Sequence, residues 1–435
     1  MDDDVDHNEF GWSNFTAGSE EAKRSYLALT LDRSLRSITS PEMAEAIVNA
    51  WAGRDADPDG HVDHQSVYAM PLTWDEKGID KQFFDEFKAF LLQENLAILG
   101  GNDNDNTKHP LDNGKSFTLD LLRDGSPNGM VARKDQTSNY WMIFNRNNGT
   151  KIRFSFDQKA KAPTKADFPE LVDLKITDYC PFDCSFCYQG STQQGQHADV
   201  RAISSLVRAL EEAKVPEVAI GGGEPTLHPK FIEILEDFRS SHIVPNFTTK
   251  NLAWLRDFEV WPKIMKNCGS FAYSATDSDE VEKFSELLTR NKIAPERVCV
   301  QYVMGSTEMY EFESILETAG KHRIPVTLLG YKTTGRGHEY QPKDHSNWIA
   351  VLKKLAKNYY PVRIDTALAL EFEDELKKNK IPSWMYHTKE GKFSLYVDAV
   401  KGKIGPSSYC ESILMRSVDL EKMRVEQLGK LYRHF

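Results

Sequence analysis

The chain has 435 residues, of which 27% are charged, and a formal net charge of −11 at pH 7. This length suggests two or three domains and allows a core large enough to need no disulfide staples. The acidic balance argues against broad capture of nucleic acid. No apolar run reaches the length of a membrane span, and the acidic start MDDDVDHNEFGW is unlike a signal peptide, so a cytoplasmic location without membrane association is expected.

Residues 1–165 read as a mixed α/β domain of unassigned role. SYLALTL (25–31) has the pattern of a strand. SPEMAEAIVNAWAG (40–53) starts on Ser40 and Pro41 and stops at Gly53, which predicts a helix. The Asp-rich stretch DADPDGHVDHQS (55–66) resembles half a calcium loop, but its twelfth position is Ser66 instead of a bidentate Glu, and Pro58 lies inside it. It reads as an acidic turn. DKQFFDEFKAFLLQENL (80–96) is a second amphipathic helix. NYWMIFNRNNGTKIRFSF (139–156) predicts a hairpin turning at Asn148-Gly149, with an edge able to receive a peptide but enough apolar content to favour packing on the rest of the protein. Asn148-Gly149-Thr150 fits a glycosylation acceptor by letter, and the hairpin turn explains it better. DQKAKAPTKAD (157–167) is the predicted linker.

From 166 to 340 the pattern changes to short apolar strands alternating with helices. Strands are predicted at 170–177, 217–223, 244–250, 270–276, 297–304 and 325–331, with helices at 197–214, 229–241, 278–292 and 307–322 and a short helical piece before 270. Six strands with helical crossovers imply a parallel α/β architecture whose functional residues gather at the C-terminal strand ends. Residues 341–435 form a predicted C-terminal extension. It comprises a helix (344–360), a strand (362–368), a strand pair (392–410) turning near Lys401-Gly402, and a charged helix at the end.

Three of the six cysteines crowd into DYCPFDCSFCYQG, just past the first strand of the alternating region: Cys180, Cys184 and Cys187, spaced C-x3-C-x2-C. Thiolates so spaced can wrap one metal centre. Structural zinc wants four ligands, and here the fourth would be distant or a histidine such as His197 or His228. A [4Fe-4S] cluster held by three thiolates instead keeps one iron open.

The trio, with Phe186 directly before its last cysteine, resembles the signature of the radical S-adenosylmethionine (radical SAM) enzymes. GGGEPTLHP (221–229), after the second strand, resembles that family's Gly-Gly-Glu-Pro element, and the order and spacing of the two motifs agree. The likeness covers about 170–337 and implies a partial (β/α)6 TIM-like barrel. It implies one [4Fe-4S] cluster on Cys180, Cys184 and Cys187, with S-adenosylmethionine on the open iron. Phe186 and Tyr188 would lie by the adenine, while Gly222, Gly223 and Glu224 would receive the amino group, the turn being stiffened by Pro225. Thr248, Thr249, Ser274 and Thr276 match places near the ribose and carboxylate. Lys332 and Arg336, in GYKTTGRG after the sixth strand, are candidates to hold an anionic group. The implied chemistry is reductive cleavage of the cofactor and hydrogen-atom abstraction, with electrons from a donor such as flavodoxin or ferredoxin.

The strand pair before Cys410 resembles the opening of the cysteine-rich extension found in peptide-modifying members. No cysteine follows Cys410, so a cluster-free, degenerate version is expected. Cys410 is either a thiol or hydrogen-atom donor or an inert buried thiol. The substrate expected is a peptide or peptide-like natural-product precursor. A small metabolite under the same chemistry and a non-enzymatic zinc or iron–sulfur protein are the alternatives.

Overall fold

In the computed structural model, residues 66–67, 130–138, 140–146, 151–154, 164–241, 243–355, 362–379, 381, 386 and 388–435 are described. The strand expected at 25–31, the helices at 40–53 and 80–96, the turn at 55–65 and the Asn148-Gly149-Thr150 turn lie outside them. The chain divides into two compact units, Met1–Thr164 with Pro382–Trp384, and Lys165–Ile381 with Met385–Phe435.

The first unit holds a four-stranded sheet in the order β1-β4-β3-β2. Its strands are β1 (Ser66–Val67), β2 (Met130–Asp135), β3 (Tyr140–Asn145) and β4 (Lys151–Phe154). Alternation works here as expected: Tyr140, Met142 and Phe144 share one face of β3 and are sealed. The expected hairpin is the antiparallel β3–β4 pair, with Phe144 opposite Lys151.

The second unit is built on one ten-stranded sheet. Its parallel strands are β5 (Leu171–Lys175), β6 (Glu217–Gly221), β7 (Val244–Thr249), β8 (Phe271–Ser274), β9 (Val298–Val303), β10 (Val326–Leu329) and β11 (Val362–Ile364). Helices run between them: α1 (Val200–Glu212), α2 (Phe231–Ser240), α3 (Trp261–Asn267), α4 (Ser278–Arg290), α5 (Met309–Lys321) and α6 (Trp348–Leu355). In α1, Asp199 caps the first turn by accepting from the Arg201 amide, and Ile203, Leu206, Val207 and Leu210 form the apolar stripe that is buried. Helix α4 repeats the design with Asp277 as cap and Val281, Phe284 and Leu288 inward.

One sheet face meets these helices. Phe247 of β7 and Phe271 of β8 stack at 5.4 Å, and Phe231 of α2, Trp254 and Phe284 of α4 close edge-on around them. Such rings bury large areas and fix β7 against β8. Because side chains alternate, the opposite, inner face receives Asp173, Lys175, Thr248, Ser274, Gln301 and Thr327. A partial barrel with a polar interior results.

The strands expected within 341–435 join the core sheet. Strand β11 extends the parallel series by pairing with β10, and two short helices follow it, α7 (Thr366–Glu371) and α8 (Glu373–Lys378). Strand β12 (Ser394–Asp398) joins the far edge, parallel to β5, with Tyr396 beside Asp173 and Asp398 beside Lys175. The expected turn at Lys401-Gly402 leads to β13 (Lys403–Gly405), antiparallel to β12, and then β14 (Arg416–Ser417). The extension therefore supplies strands at both edges of the core sheet. Helix α9 (Val425–His434) ends the chain. No described helix is long and apolar enough to cross a membrane.

Candidate active site

Beyond β5 the chain folds back on itself. The Asp178 amide donates to the Gln196 carbonyl at 2.8 Å, the Thr192 amide to the Asp178 carbonyl at 3.2 Å, and the Cys180 amide to the Thr192 carbonyl at 2.9 Å. These contacts zip the base of a loop that carries the three cysteines. Within it, Cys187 N–H donates to the Cys184 carbonyl and Gly190 N–H to the Cys187 carbonyl, both at 3.1 Å, so the last two thiols sit on consecutive tight turns. Asp183 adopts φ 47°, the left-handed region that Asp tolerates better than most residues.

The segment after β10 straps this loop down. Arg336 donates from Nε to the Cys184 carbonyl at 2.9 Å and from Nη1 to the Ser191 carbonyl at 2.7 Å, while its own amide donates to the Cys187 carbonyl at 3.0 Å. Thr334 Oγ1 donates to the Tyr188 carbonyl. A side chain on Gly335, at φ 55°, would run into the Tyr188 carbonyl and the Gly190 amide. The Arg336 guanidinium, expected to receive an anion, is thus engaged by the loop's own carbonyls.

From the β6 end comes the glycine turn. Gly223 N–H donates to the Thr177 carbonyl at 2.6 Å and Glu224 N–H to the Tyr179 carbonyl at 2.7 Å. A Cβ on Gly222 (φ 134°) would strike the Thr177 carbonyl, and one on Gly223 would strike that of Tyr179. Glu224 is 2% exposed. Its Oε1 accepts from the Thr226 amide and hydroxyl and from Thr249 Oγ1 at 2.7 Å, and Oε2 accepts from the Lys250 amide at 2.9 Å. Burial pushes this carboxyl above its ordinary range, and these donors oppose the shift. Its side chain therefore joins the ends of β6 and β7.

A second network joins β7 to β8. Lys250 Nζ pairs with Glu280 at 2.9 Å and donates to the Ser274 carbonyl and Thr276 Oγ1, both at 3.3 Å. Thr276 gives its amide and hydroxyl to Glu280. Thr249 and Thr276, expected near a ribose or carboxylate, are both occupied by these protein partners. Thr248 is half-buried on the inner face. Phe186 packs edge-on against Tyr340 at 6.0 Å. Lys250 and Glu280 escaped the sequence reading. Their signals were a charge at the C-terminal end of a strand and the Asp277-x-x-Glu280 capping spacing.

Burial raises the Cys180 and Cys184 thiols. At Cys180 the nearby Glu224, Cys184 and Cys187 push further in the same direction, and at Cys184 Lys250 pulls the other way. Like-charged neighbours that disfavour ionisation are what a cationic iron centre would relieve, so the donor set fits a cluster. Among the described residues no three Cys, His, Asp or Glu converge tightly enough for a single metal ion. The histidines considered as a fourth zinc ligand have other partners: His197 Nδ1 bonds Thr177 Oγ1 at 2.8 Å, and His228 Nε2 faces the Ala198 carbonyl at 3.1 Å. A cubane distributes its thiolates over separate irons and does not ask them to meet at one point.

The sequence model of the Radical SAM superfamily matches residues 174–275, which include the cysteine loop and the glycine turn. Residues 174–275 are a radical SAM domain. Curated relatives include GTP 3',8-cyclase of Haemophilus influenzae, 25% identical over 206 residues, or 42% of this chain and 60% of that protein. The same-named protein of Actinobacillus pleuropneumoniae is 33% identical over 94 residues, or 20% and 28% of the two chains. The chain thus matches less than two thirds of these relatives' length. Among solved structures, Streptococcus suis SuiB bound to precursor peptide SuiA superposes with a TM-score of 0.52 at 11% identity, over 71% of this chain and 88% of that one. It shares the fold.

The remaining expected residues lie around the radical SAM domain. Lys332 Nζ sits between two rings, 4.7 Å from the Tyr188 centroid and 4.8 Å from that of Tyr409. Among the described carboxylates only Asp365 comes within ion-pair range of it, at 3.9 Å. Cys410 lies in the β13–β14 connection with its Sγ 3.5 Å from Met415 Sδ.

Proposed function

We propose that the chain is a radical SAM enzyme that acts on a peptide or peptide-like natural-product precursor. One observation carries the chemistry: two motifs about 35 residues apart are knitted by the Gly223–Thr177 and Glu224–Tyr179 backbone bonds into one surface at the strand ends. When bound, the cluster and S-adenosylmethionine supply one-electron carbon–sulfur cleavage, and with it the power to remove a hydrogen atom from an unactivated carbon.

The chain's own residues do the rest. Cys180, Cys184 and Cys187 would hold the cluster, and Gly222 and Gly223 would let backbone approach the cofactor's amino group. Phe186 would pack beside the adenine, and the backbone at Tyr188 would meet its polar edge. The Glu224–Thr249 and Lys250–Glu280–Thr276 networks fix the backbone at the strand ends where the ribose and carboxylate would lie, with Thr248 and Ser274 facing inward. Arg336 holds the loop in place and Lys332 faces the substrate. Cys410 fits an inert thiol better than a donor, since it packs on Met415.

The peptide assignment is supported by the shared fold with SuiB, a protein solved with a precursor peptide. The name of the cyclase relatives points instead to a nucleotide. A triphosphate asks for basic surroundings, whereas Lys332 shares its surroundings with Asp173, Asp365 and Glu390. A flavodoxin- or ferredoxin-type donor would supply the electron.

Anaerobically reconstituted protein, reduced in the presence of S-adenosylmethionine, should form 5′-deoxyadenosine, and Cys184→Ala should lose bound iron and this product together. Product formation that survives Cys184→Ala would overturn the assignment.

A further inference from the structure

Asp173 differs from Asp365 and Glu390, the described carboxylates beside it. It lies mid-strand on β5 between Val172 and Leu174, which are 0% and 1% exposed on the helix side. Alternation turns Asp173 to the inner face, where it is enclosed by protein yet keeps reachable surface. The sheet's inner face therefore borders open space at this point. Among the described residues its carboxylate has no hydrogen bond and no ion pair.

Its neighbours are committed elsewhere. Asp365 Oδ1 accepts from the Gly330 and Leu368 amides at 2.8 Å each, capping α7. Glu390 Oε2 accepts from Tyr409 Oη at 3.2 Å. Lys332 is caged by two tyrosine rings with Asp365 as its nearest carboxylate. These groups come from the ends of β10 and β11 and from the connections flanking β12 and β13, so they line the seam between the two edges of the sheet. A purely structural staple would use Asp173 as it uses the others. Three carboxyls against one ammonium also leave the space negative, and the buried carboxyl of Asp173 is raised to about 7 by desolvation first and then by Glu390, with Lys332 opposing and Glu217 and Asp365 adding.

We propose that Asp173, backed by Glu390 and bounded by Lys332 between Tyr188 and Tyr409, receives a cationic side group of the substrate, an ammonium or guanidinium, inside the partial barrel. An unspent carboxylate in an enclosed negative space suits a cation with N–H donors, while the Tyr188 and Tyr409 rings hold Lys332 at its boundary. This specificity site rests on the radical SAM reading, because it presumes that the barrel interior is where substrate is held.

The test is binding of four Nα-acetyl methylamides, those of lysine, arginine, norleucine and glutamate, to reconstituted enzyme whose iron and sulfide are measured in the same preparation. Lysine and arginine should bind about tenfold or more tighter than norleucine, and glutamate weakest. Asp173→Asn should bring that ratio close to one with iron content retained, whereas Lys332→Met, which removes a like charge, should increase it. In the native chain the ratio should shrink below about pH 7, as Asp173 takes up its proton. Norleucine equal to lysine, an unaltered preference in Asp173→Asn, or no binding by any probe would overturn the inference. Should Asp173→Asn lose its iron, Lys332→Met and the native pH dependence decide. A loaded cluster without cation preference defeats this site alone, and cation preference in a chain that takes no cluster defeats the radical SAM reading alone.

Discussion

Two buried carboxyls, Glu224 and Asp173, show what partners do to the same chemistry. Glu224 collects donors from Thr226, Thr249 and Lys250, so its burial is partly offset and it serves as a brace. Asp173 has no such donors, and its ionised form is a burden on the native state. Folded, it titrates at about 7, against about 3.9 unfolded. Between these values the native chain binds more protons than the unfolded one, so stability falls as pH rises toward 7 and the full penalty stands above it. Asp173→Asn removes this penalty. Its melting temperature relative to the parent should rise between pH 5 and pH 8, as read by thermal unfolding at both values, and an unchanged difference would show that Asp173 is not buried in its charged form. At this scale the sequence disclosed the cysteines, because three thiols in eight positions need no context. Asp173 was hidden, because one acid in an apolar strand looks the same whether it faces solvent or an interior.

The cysteine loop and the strap from residues 330–337 behave as one element. The loop has few apolar side chains to bury, and Phe182 at its tip is exposed, so its shape depends on carbonyls held by Arg336 and on glycines that admit close backbone contact. The guanidinium's planar fork reaches two carbonyls at once, and a lysine reaches one. Arg336→Lys should therefore keep the charge yet bleach the cluster faster in air, several-fold by loss of its visible absorbance; bleaching at the parent's rate would relieve Arg336 of the strap role. Strand and helix order from 170 to 331 was legible because the helices carry their own apolar stripes, and two of them, α1 and α4, a capping Asp199 and Asp277 as well. The strap was not. GYKTTGRG reads locally as a glycine-rich turn, and nothing in it announces that its partner lies about 150 residues earlier.

Across the whole second unit, the same limit explains the extension. LYVDAVKGKIG carries the turn and the alternation of a hairpin, which is correct for β12 and β13, but its parallel registration on β5 is a long-range choice with no local trace. Lys175 makes that choice visible in the structure. It is 3% exposed, pairs with Asp178 in the cysteine loop and with Asp398 of β12 at 3.3 Å, and so ties the extension to the site. Lys175→Met would leave two carboxylates without their cation, at a cost of about 3–5 kcal/mol, and thermal unfolding should show a correspondingly large fall in midpoint. A neutral result would mean that β12 docks without this pairing. All of these contacts serve one proposition, that three thiols hold a cluster with one iron left open to S-adenosylmethionine. Its most direct measurement is iron and sulfide content of oxygen-free protein, followed by electron paramagnetic resonance of the reduced form with and without S-adenosylmethionine. About four irons and four sulfides per chain, with a signal that shifts when S-adenosylmethionine is added, is the expected result. Bound zinc, or a cluster signal indifferent to S-adenosylmethionine, would contradict it.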